Sequence, residues 1–104
     1  MSRFADILER LTATITARKG GDPAKSWTAK LLADEALIAS KVLEEARETV
    51  EAEGADHLAA ESADLIYHWL VLLAAKGVSL DEVAAKLEAR EGTSGIAEKA
   101  SRGA

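Results

Sequence analysis

The chain has 104 residues, of which 48% are hydrophobic and 30% are charged, and its formal net charge is −5. This length suits a single domain over 1–104, with a helical core expected in 1–92 and a basic C-terminal tail in 93–104. The acidic balance argues against a nucleic-acid or anionic-membrane binder, whose affinity depends on a basic surface. The absence of cysteine excludes disulfides, thiolate nucleophiles and thiolate zinc sites. The N-terminal segment lacks the apolar core of a signal peptide, which predicts a cytoplasmic protein.

A single proline and the lack of alternating β-branched residues predict an all-α fold, a bundle of four to five helices. Apolar residues at helical spacing predict a first helix over about 3–18. The basic, glycine-containing loop 18–23 follows it. The segment Ser26-Trp27-Thr28 then leads into a short helical stretch.

Two acidic helices and a final helix are predicted downstream. The first acidic helix runs from about 34 to 53 and is expected to end at Gly54. Asp56 is predicted to cap the next helix, which stops at Gly77. The segment Ser79-Leu80-Asp81-Glu82 has the pattern of a capping box, which opens the last helix.

The helix predicted over 56–76 is apolar nearly all round between Leu65 and Leu73. A helix of this kind is normally buried on every side, and a chain of 104 residues can hardly cover it. The apolar run is about half of the roughly 20 residues that a membrane-spanning helix needs. We therefore expect a homodimer whose core is completed by self-association through this helix, and no membrane partner.

Five carboxylates lie at helical spacing on the two acidic helices: Glu44, Glu45, Glu48, Glu61 and Asp64. Residues three or four apart share one side of a helix, so antiparallel packing of the two helices brings the acids together. Like charges this close repel unless a hard cation such as Mg²⁺ lies between them. A solvated acidic face is the alternative, but Glu45 and Glu48 border an apolar stripe and Asp64 directly precedes the apolar run. The pattern therefore favours a metal site for phosphate chemistry.

The candidate substrate contacts are a histidine and several bases. His68 lies one turn beyond Asp64, and Lys41 lies one turn before Glu45. The alternative for His68 is a core histidine whose hydrogen bonds are made within the protein. The alternative for Lys41 is an ordinary ion pair within the helix. The other bases flank glycine, serine or helix ends, where backbone N–H groups also meet phosphates, although each is also explained as solvated surface. They are Arg18, Lys30, Lys99 and Arg102.

Glu44-Glu45-x-x-Glu48 followed by Glu61-x-x-Asp64 resembles the metal signature of the all-α nucleotide pyrophosphatases, the superfamily of MazG-like and dimeric dUTPase-like enzymes. Within it, the chain resembles the phosphoribosyl-ATP pyrophosphatase family over nearly its full length. The segments that carry this resemblance are Asp22-Pro23-x-x-Ser26-Trp27-Thr28-x-Lys30-Leu31, Lys41-Val42-x-Glu44-Glu45, Asp64-Leu65-x-Tyr67-His68-x-Leu70-Val71-Leu72 and Gly95-Ile96-x-Glu98-Lys99-Ala100-Ser101-Arg102. Trp27 stands where tyrosine is expected and Leu43 where glycine is more usual, and neither is a proposed ligand.

The resemblance implies a MazG-like bundle that hydrolyses 1-(5-phosphoribosyl)-ATP to 1-(5-phosphoribosyl)-AMP and pyrophosphate in the second step of histidine biosynthesis. The residues agree with this reaction, because cleaving a phosphoanhydride needs neutralised phosphate charge and an activated water. The expected ligands of Mg²⁺, for which Mn²⁺ substitutes, are Glu45, Glu48, Glu61 and Asp64. Glu44 is either a further ligand or the base that orients the water, and Glu44, Glu45 and Glu48 form the expected catalytic set. The expected substrate contacts are Arg18, Lys30, Lys41, His68, Lys99 and Arg102.

Three other functions are alternatives for this sequence. A house-cleaning NTP or dUTP pyrophosphatase would use the same scaffold and the same acids. A non-enzymatic helical interaction module would carry the acids as solvated surface. A carboxylate-bridged redox-metal bundle is disfavoured, because it needs Glu-x-x-His pairs and the residue three positions after Asp64 is Tyr67.

Overall fold

The computed structural model describes residues 2–92 together with Ile96 and Lys99. Within this part of the chain there are five helices and no strand, which confirms the predicted all-α bundle. The helices are α1 Arg3–Ala17, α2 Trp27–Leu32, α3 Glu35–Glu51, α4 Ala55–Lys76 and α5 Leu80–Arg90.

The core lies around α4, which packs against α1, α2 and α3. Its fully buried aliphatic side chains come from all four of these helices, and each is at most 2% exposed. They are Ile15, Leu31, Ile38, Leu70 and Val71. Burying an aliphatic side chain of this size stabilises the fold by about 1.5–3 kcal/mol. The core therefore holds the short α2 against the α3–α4 pair, where the acidic residues lie.

The link between α3 and α4 differs from the prediction. Helix α3 ends at Glu51, and Gly54, with φ 85, is the N-cap residue of α4 rather than the end of α3. The prediction that Asp56 caps α4 is wrong, because Asp56 lies inside the first turn and α4 has no side-chain cap. Glycine adopts a positive φ without steric cost, which lets the chain reverse here within three residues. The two helices consequently form an antiparallel hairpin.

The predicted end of α4 and start of α5 are confirmed. Gly77 adopts the left-handed conformation with φ 69, and its N–H reaches the carbonyls of Leu73 and Ala74. Ser79 and Glu82 form the reciprocal capping box at the start of α5. These two signals are local, so the tertiary structure does not override them.

Helix α4 is long and apolar enough to meet a length-and-composition test for a membrane-spanning helix, and a core helix of a soluble protein meets the same test. Only 17% of its most apolar stretch is buried within this chain. Leu70 and Val71 face the core, whereas Leu58 is 46% exposed. The chain by itself therefore leaves much of α4 uncovered.

Candidate metal and phosphate site

The α3–α4 hairpin brings the five predicted acids together in one cluster, which we call the acidic cluster. Carboxylate oxygens of Glu44, Glu45 and Glu48 lie within 4.8 Å of one another, and so do those of Glu45, Glu61 and Asp64. Glu45 is common to both groups and is only 6% exposed. The spacing of the acids along two antiparallel helices thus produces the convergence that the sequence predicts.

Thr49 fastens the two helices beside the acidic cluster. Its hydroxyl lies 2.7 Å from the carbonyl oxygen of Glu45, one turn earlier in α3, and 3.2 Å from the carbonyl oxygen of Glu61 in α4. The single hydroxyl proton is shared between the two carbonyls, and this contact restricts the register of α3 against α4. Sequence reasoning missed Thr49, although a threonine four residues after a candidate ligand is a recognisable signal for backbone contact.

Charge repulsion is built into the acidic cluster. The pKa of Glu45 is raised, first because burial disfavours its charged form and then because Glu48 lies close to it. The pKa of Glu61 is also raised, first by a hydrogen bond with Glu48 and then by burial. One carboxylate oxygen of Glu45 and one of Glu61 are buried without a hydrogen-bond partner among the residues that the structure describes. An all-oxygen set with buried, unpartnered acceptors fits a hard divalent cation.

Lys41 is the base closest to the acidic cluster. Its ammonium group lies 3.3 Å from Glu44 Oε2 and 3.5 Å from Glu45 Oε1. Burial by itself lowers the pKa of Lys41, but the hydrogen bond to Glu44 and the charges of both carboxylates outweigh it, so the pKa is raised. Lys41 therefore stays cationic and offsets part of the negative charge.

His57 also contacts the acidic cluster, through Glu61. The backbone N–H of Glu53 donates to His57 Nδ1 at 3.3 Å, so the proton of the neutral ring lies on Nε2. His57 Nε2 is 3.6 Å from Glu61 Oε1. The i, i+4 spacing of His57 and Glu61 was the signal available in the sequence. Next to this contact the cluster opens to a depression of about 450 Å³ lined by Glu48, Glu51, His57 and Glu61.

His68 lies beside the acidic cluster rather than in it. Its Nδ1 is 2.8 Å from the carbonyl oxygen of Asp64, and the side chain is buried between α2 and α4. The His68 ring meets the rings of Trp27 and Tyr67 edge to face, with centroid separations of 6.5 and 5.2 Å. The hydroxyls of Tyr67 and Thr28 form a hydrogen bond that joins α2 to α4. Asp64 and His68 are thus one helical turn apart on the same side of α4.

The remaining predicted bases lie in three different places. Lys30 extends over the Trp27 ring, 5.7 Å from its centroid. Arg18 follows α1 and lines a separate depression with Asp22 and Lys25. Lys99 is exposed beyond α5. Arg102 lies outside the residues that the structure describes.

Comparison with known proteins identifies the family. A family model described as phosphoribosyl-ATP pyrophosphohydrolase matches residues 8–91. The chain belongs to the phosphoribosyl-ATP pyrophosphohydrolase family. It is 72% identical over 103 residues to a protein of Caulobacter vibrioides named phosphoribosyl-ATP pyrophosphatase, and the match covers 96% of both chains.

Two further relatives with the same name show how far the match extends. The chain is 67% identical over 105 residues to the protein of Caulobacter sp. (strain K31), with 98% of both chains covered. It is 61% identical over 101 residues to the protein of Cereibacter sphaeroides (strain ATCC 17029 / ATH 2.4.9), with 93% of this chain and 98% of the relative covered. The family resemblance seen in the sequence is confirmed, and the chain is an enzyme of the phosphoribosyl-ATP pyrophosphohydrolase family.

Proposed function

We propose that the protein hydrolyses 1-(5-phosphoribosyl)-ATP to 1-(5-phosphoribosyl)-AMP and pyrophosphate at the acidic cluster, as a cytoplasmic enzyme of histidine biosynthesis. The observation that carries this proposal is the convergence of five carboxylates with two buried, unpartnered oxygens in a member of this family. Breaking the bond between the α and β phosphates needs neutralised charge and an activated water. The acidic cluster can hold a cation that neutralises the phosphate charge, and it can hold the base that activates the water.

The metal requirement is part of this proposal. The residues that would hold Mg²⁺ are Glu45, Glu48, Glu61 and Asp64, and Mn²⁺ would fit the same oxygen ligands. The ion, when bound, neutralises phosphate charge and lowers the pKa of a coordinated water. Two neighbours restrict the proposed ligand Glu61: His57 Nε2 lies 3.6 Å from its carboxylate, and the Thr49 hydroxyl lies 3.2 Å from its carbonyl oxygen.

Glu44 acts as the base in this mechanism. Its side chain is 40% exposed, the most open among Glu44, Glu45 and Glu61, and Lys41 holds it at 3.3 Å. A carboxylate at the solvent edge of the cluster can take a proton from the attacking water and pass it to bulk water. Lys41 lies 3.3 Å from Glu44 Oε2, where phosphate oxygens of the substrate would approach.

The other bases bind the phosphate groups of the substrate. Lys30 lies one turn from the N-terminus of α2, and its ammonium group lies over the Trp27 ring, which contacts His68 of α4. Arginine supplies paired N–H donors to a phosphate, whereas lysine supplies a compact charge. The proposed phosphate contacts are Arg18, Lys30, Lys41, Lys99 and Arg102, and His68 is a further proposed contact to the substrate.

The direct test is release of pyrophosphate from phosphoribosyl-ATP with and without Mg²⁺, together with a panel of ATP and dUTP. We expect release only with the divalent ion, and much faster for phosphoribosyl-ATP than for either nucleotide. Efficient hydrolysis of ATP or dUTP would instead support the house-cleaning activity of the same superfamily. No hydrolysis of any of the three would support an interaction module.

Divalent ions are expected to stabilise the protein against heat. A ligand at about 100 times its dissociation constant stabilises the folded state by about 2.7 kcal/mol, which corresponds to roughly 10 °C or more in Tm for a domain of this size. The measurement is thermal unfolding with millimolar Mg²⁺, with Mn²⁺ and with EDTA. Because K⁺ supplies ionic strength without fitting the site, a matched KCl sample is the control. Equal Tm values in all samples would contradict a metal site.

We further propose that a second copy of this chain covers the exposed apolar surface of α3 and α4. Leu43 and Val50 are seven residues apart on one side of α3 and are 71% and 85% exposed. Leu58 of α4 is 46% exposed. Exposed apolar residues that are grouped on one surface mark an interaction site, and a homodimer through this surface would cover part of α4 as well.

The dimer is expected to dissociate when a charge is placed on this surface. We expect the wild type to sediment as a dimer at micromolar concentration and Leu43→Asp to sediment as a monomer or to aggregate. Leu87→Asp is the matched control, because Leu87 is similarly exposed, at 61%, but lies on α5. A compact, folded wild-type monomer at micromolar concentration would refute the proposal.

A further inference from the structure

We propose that Trp27 and His68 form a subsite for the positively charged, N1-substituted adenine ring of phosphoribosyl-ATP, and that this subsite separates the substrate from ATP. The inference rests on the proposed function, because it takes that substrate. Two observations carry it. One is an exposed indole with a cation above its face, and the other is a buried imidazole nitrogen without a partner.

The enzyme has to distinguish phosphoribosyl-ATP from ATP, and the chemistry of the two nucleotides shows where they differ. Phosphoribosyl-ATP and ATP carry the same triphosphate, so a site that contacts only the triphosphate treats the two alike. They differ at N1 of adenine, where the substrate carries a second ribose phosphate. Alkylation at N1 also turns the ring into a protonated amidine at neutral pH, which makes the base a cation with an amino group at C6. Ring charge is therefore a property that an aromatic surface can select.

Trp27 offers this aromatic surface. It is the first residue of α2 and is 45% exposed. The Lys30 ammonium lies over its ring, 5.7 Å from the centroid, which shows that this face accepts a cation. Indole is the aromatic ring that attracts cations most strongly. When Lys30 turns to a phosphate oxygen of the substrate, the cationic base takes its place over Trp27.

His68 offers a hydrogen-bond acceptor beside Trp27. Its Nδ1 lies 2.8 Å from the carbonyl oxygen of Asp64, and since a carbonyl only accepts, Nδ1 carries the proton. Nε2 of the neutral ring is then an acceptor. It is buried in a residue that is 7% exposed, and it has no partner among the residues that the structure describes. A buried acceptor of this kind is unfavourable until a donor reaches it, and the C6 amino group of the base is such a donor.

The surrounding contacts hold this subsite next to the acidic cluster. The rings of Trp27 and His68 meet edge to face at an interplanar angle of 76°, and the hydrogen bond between Thr28 and Tyr67 also joins α2 to α4. His68 is one turn of α4 away from Asp64, a rise of about 6 Å. A base bound here therefore lies within a nucleotide's length of a triphosphate at the carboxylates.

The experiment tests the contribution of the ring charge to binding separately from that of the second ribose phosphate. N1-methyl-ATP carries the ring charge but lacks the phosphoribosyl group, and its inhibition constant against phosphoribosyl-ATP hydrolysis is compared with that of ATP. We expect N1-methyl-ATP to inhibit the wild type about tenfold more strongly than ATP. Trp27→Leu should remove this preference, and Trp27→Phe should keep part of it. Phe4→Leu, which changes an exposed aromatic of α1, is the control and should keep all of it.

Variants of His68 test the acceptor. His68→Met has a similar volume without an acceptor, and His68→Gln can place an oxygen near the position of Nε2. We expect His68→Met to weaken inhibition by N1-methyl-ATP more than inhibition by ATP, because a charged donor makes the stronger hydrogen bond, and His68→Gln to recover part of the loss. Mn²⁺ affinity should stay unchanged in both variants, which distinguishes loss of a base contact from disturbance of the acids.

A fluorescence measurement keeps the test decisive even when His68 variants fail to fold. In a Trp69→Phe protein, Trp27 is the sole tryptophan, since the chain has two. N1-methyl-ATP should then quench the emission at lower concentration than ATP. Equal inhibition by the two nucleotides, or a preference that survives Trp27→Leu, would overturn the subsite. A wild type that releases no pyrophosphate from phosphoribosyl-ATP would instead overturn the proposed function.

Discussion

Replacing Asp64 by asparagine, or Glu48 by glutamine, is expected to abolish pyrophosphate release while leaving the helices intact. Each change removes one proposed anionic ligand but keeps the size of the side chain. A loss of about 4 kcal/mol of transition-state stabilisation lowers kcat/KM roughly a thousandfold. The measurement is steady-state kinetics with phosphoribosyl-ATP at saturating Mg²⁺, and circular dichroism reports the helix content of each variant.

The same variants are expected to be as stable as the wild type, or more stable, in EDTA. The raised pKa values of Glu45 and Glu61 show that ionising the cluster is unfavourable in the folded chain, so removing one charge relieves repulsion. Glu88→Gln is the matched control, because Glu88 is exposed on α5. It should change neither turnover nor Tm. Wild-type turnover in Asp64→Asn or Glu48→Gln would remove that residue from the ligand set.

The sequence predicts the helices well where their ends depend on local contacts. The Ser79–Glu82 capping box and the left-handed Gly77 need only residues within one turn, and both are present. In the link before α4, the sequence predicts that Gly54 ends α3 and that Asp56 caps α4, whereas Gly54 is the N-cap residue of α4. Which residue becomes the N-cap depends on how sharply α3 and α4 reverse, and that reversal is set by the packing of the whole hairpin. A local pattern does not contain this information.

The same distinction between local and long-range contacts explains which parts of the site the sequence predicts. The acidic cluster is predictable because its residues lie on two consecutive helices, so helical spacing and one short link nearly determine their positions. Thr49 contacts Glu61 only because of the register of α3 against α4. The pairing of Trp27 with His68 depends on where the core places the short α2, and spacing along the chain does not indicate it. Contacts between distant segments are therefore the part that sequence reasoning left out.

Removing residues 97–104 is expected to raise the KM for phosphoribosyl-ATP by one to two orders of magnitude. The tail, 93–104, carries Lys99 and Arg102 at i, i+3, and we propose that it closes over the phosphates when substrate and Mg²⁺ bind. Two charge-assisted contacts are worth roughly 1.5–3 kcal/mol each, and partial loss of both gives this change. Tm should change little, since Ile96 is 86% exposed and Lys99 is exposed as well.

Single substitutions show whether the effect of the truncation comes from the two charges. Lys99→Ala and Arg102→Ala should each raise KM by about tenfold, and Arg102→Lys should recover only part of the loss because lysine lacks the paired donors of arginine. Lys86→Ala is the matched control, since Lys86 is an exposed lysine of α5. A tail that only extends into solvent predicts no kinetic change. Unaltered KM and kcat in the truncated enzyme would therefore exclude the tail from the site, and the triphosphate would then depend on Lys30 and Lys41.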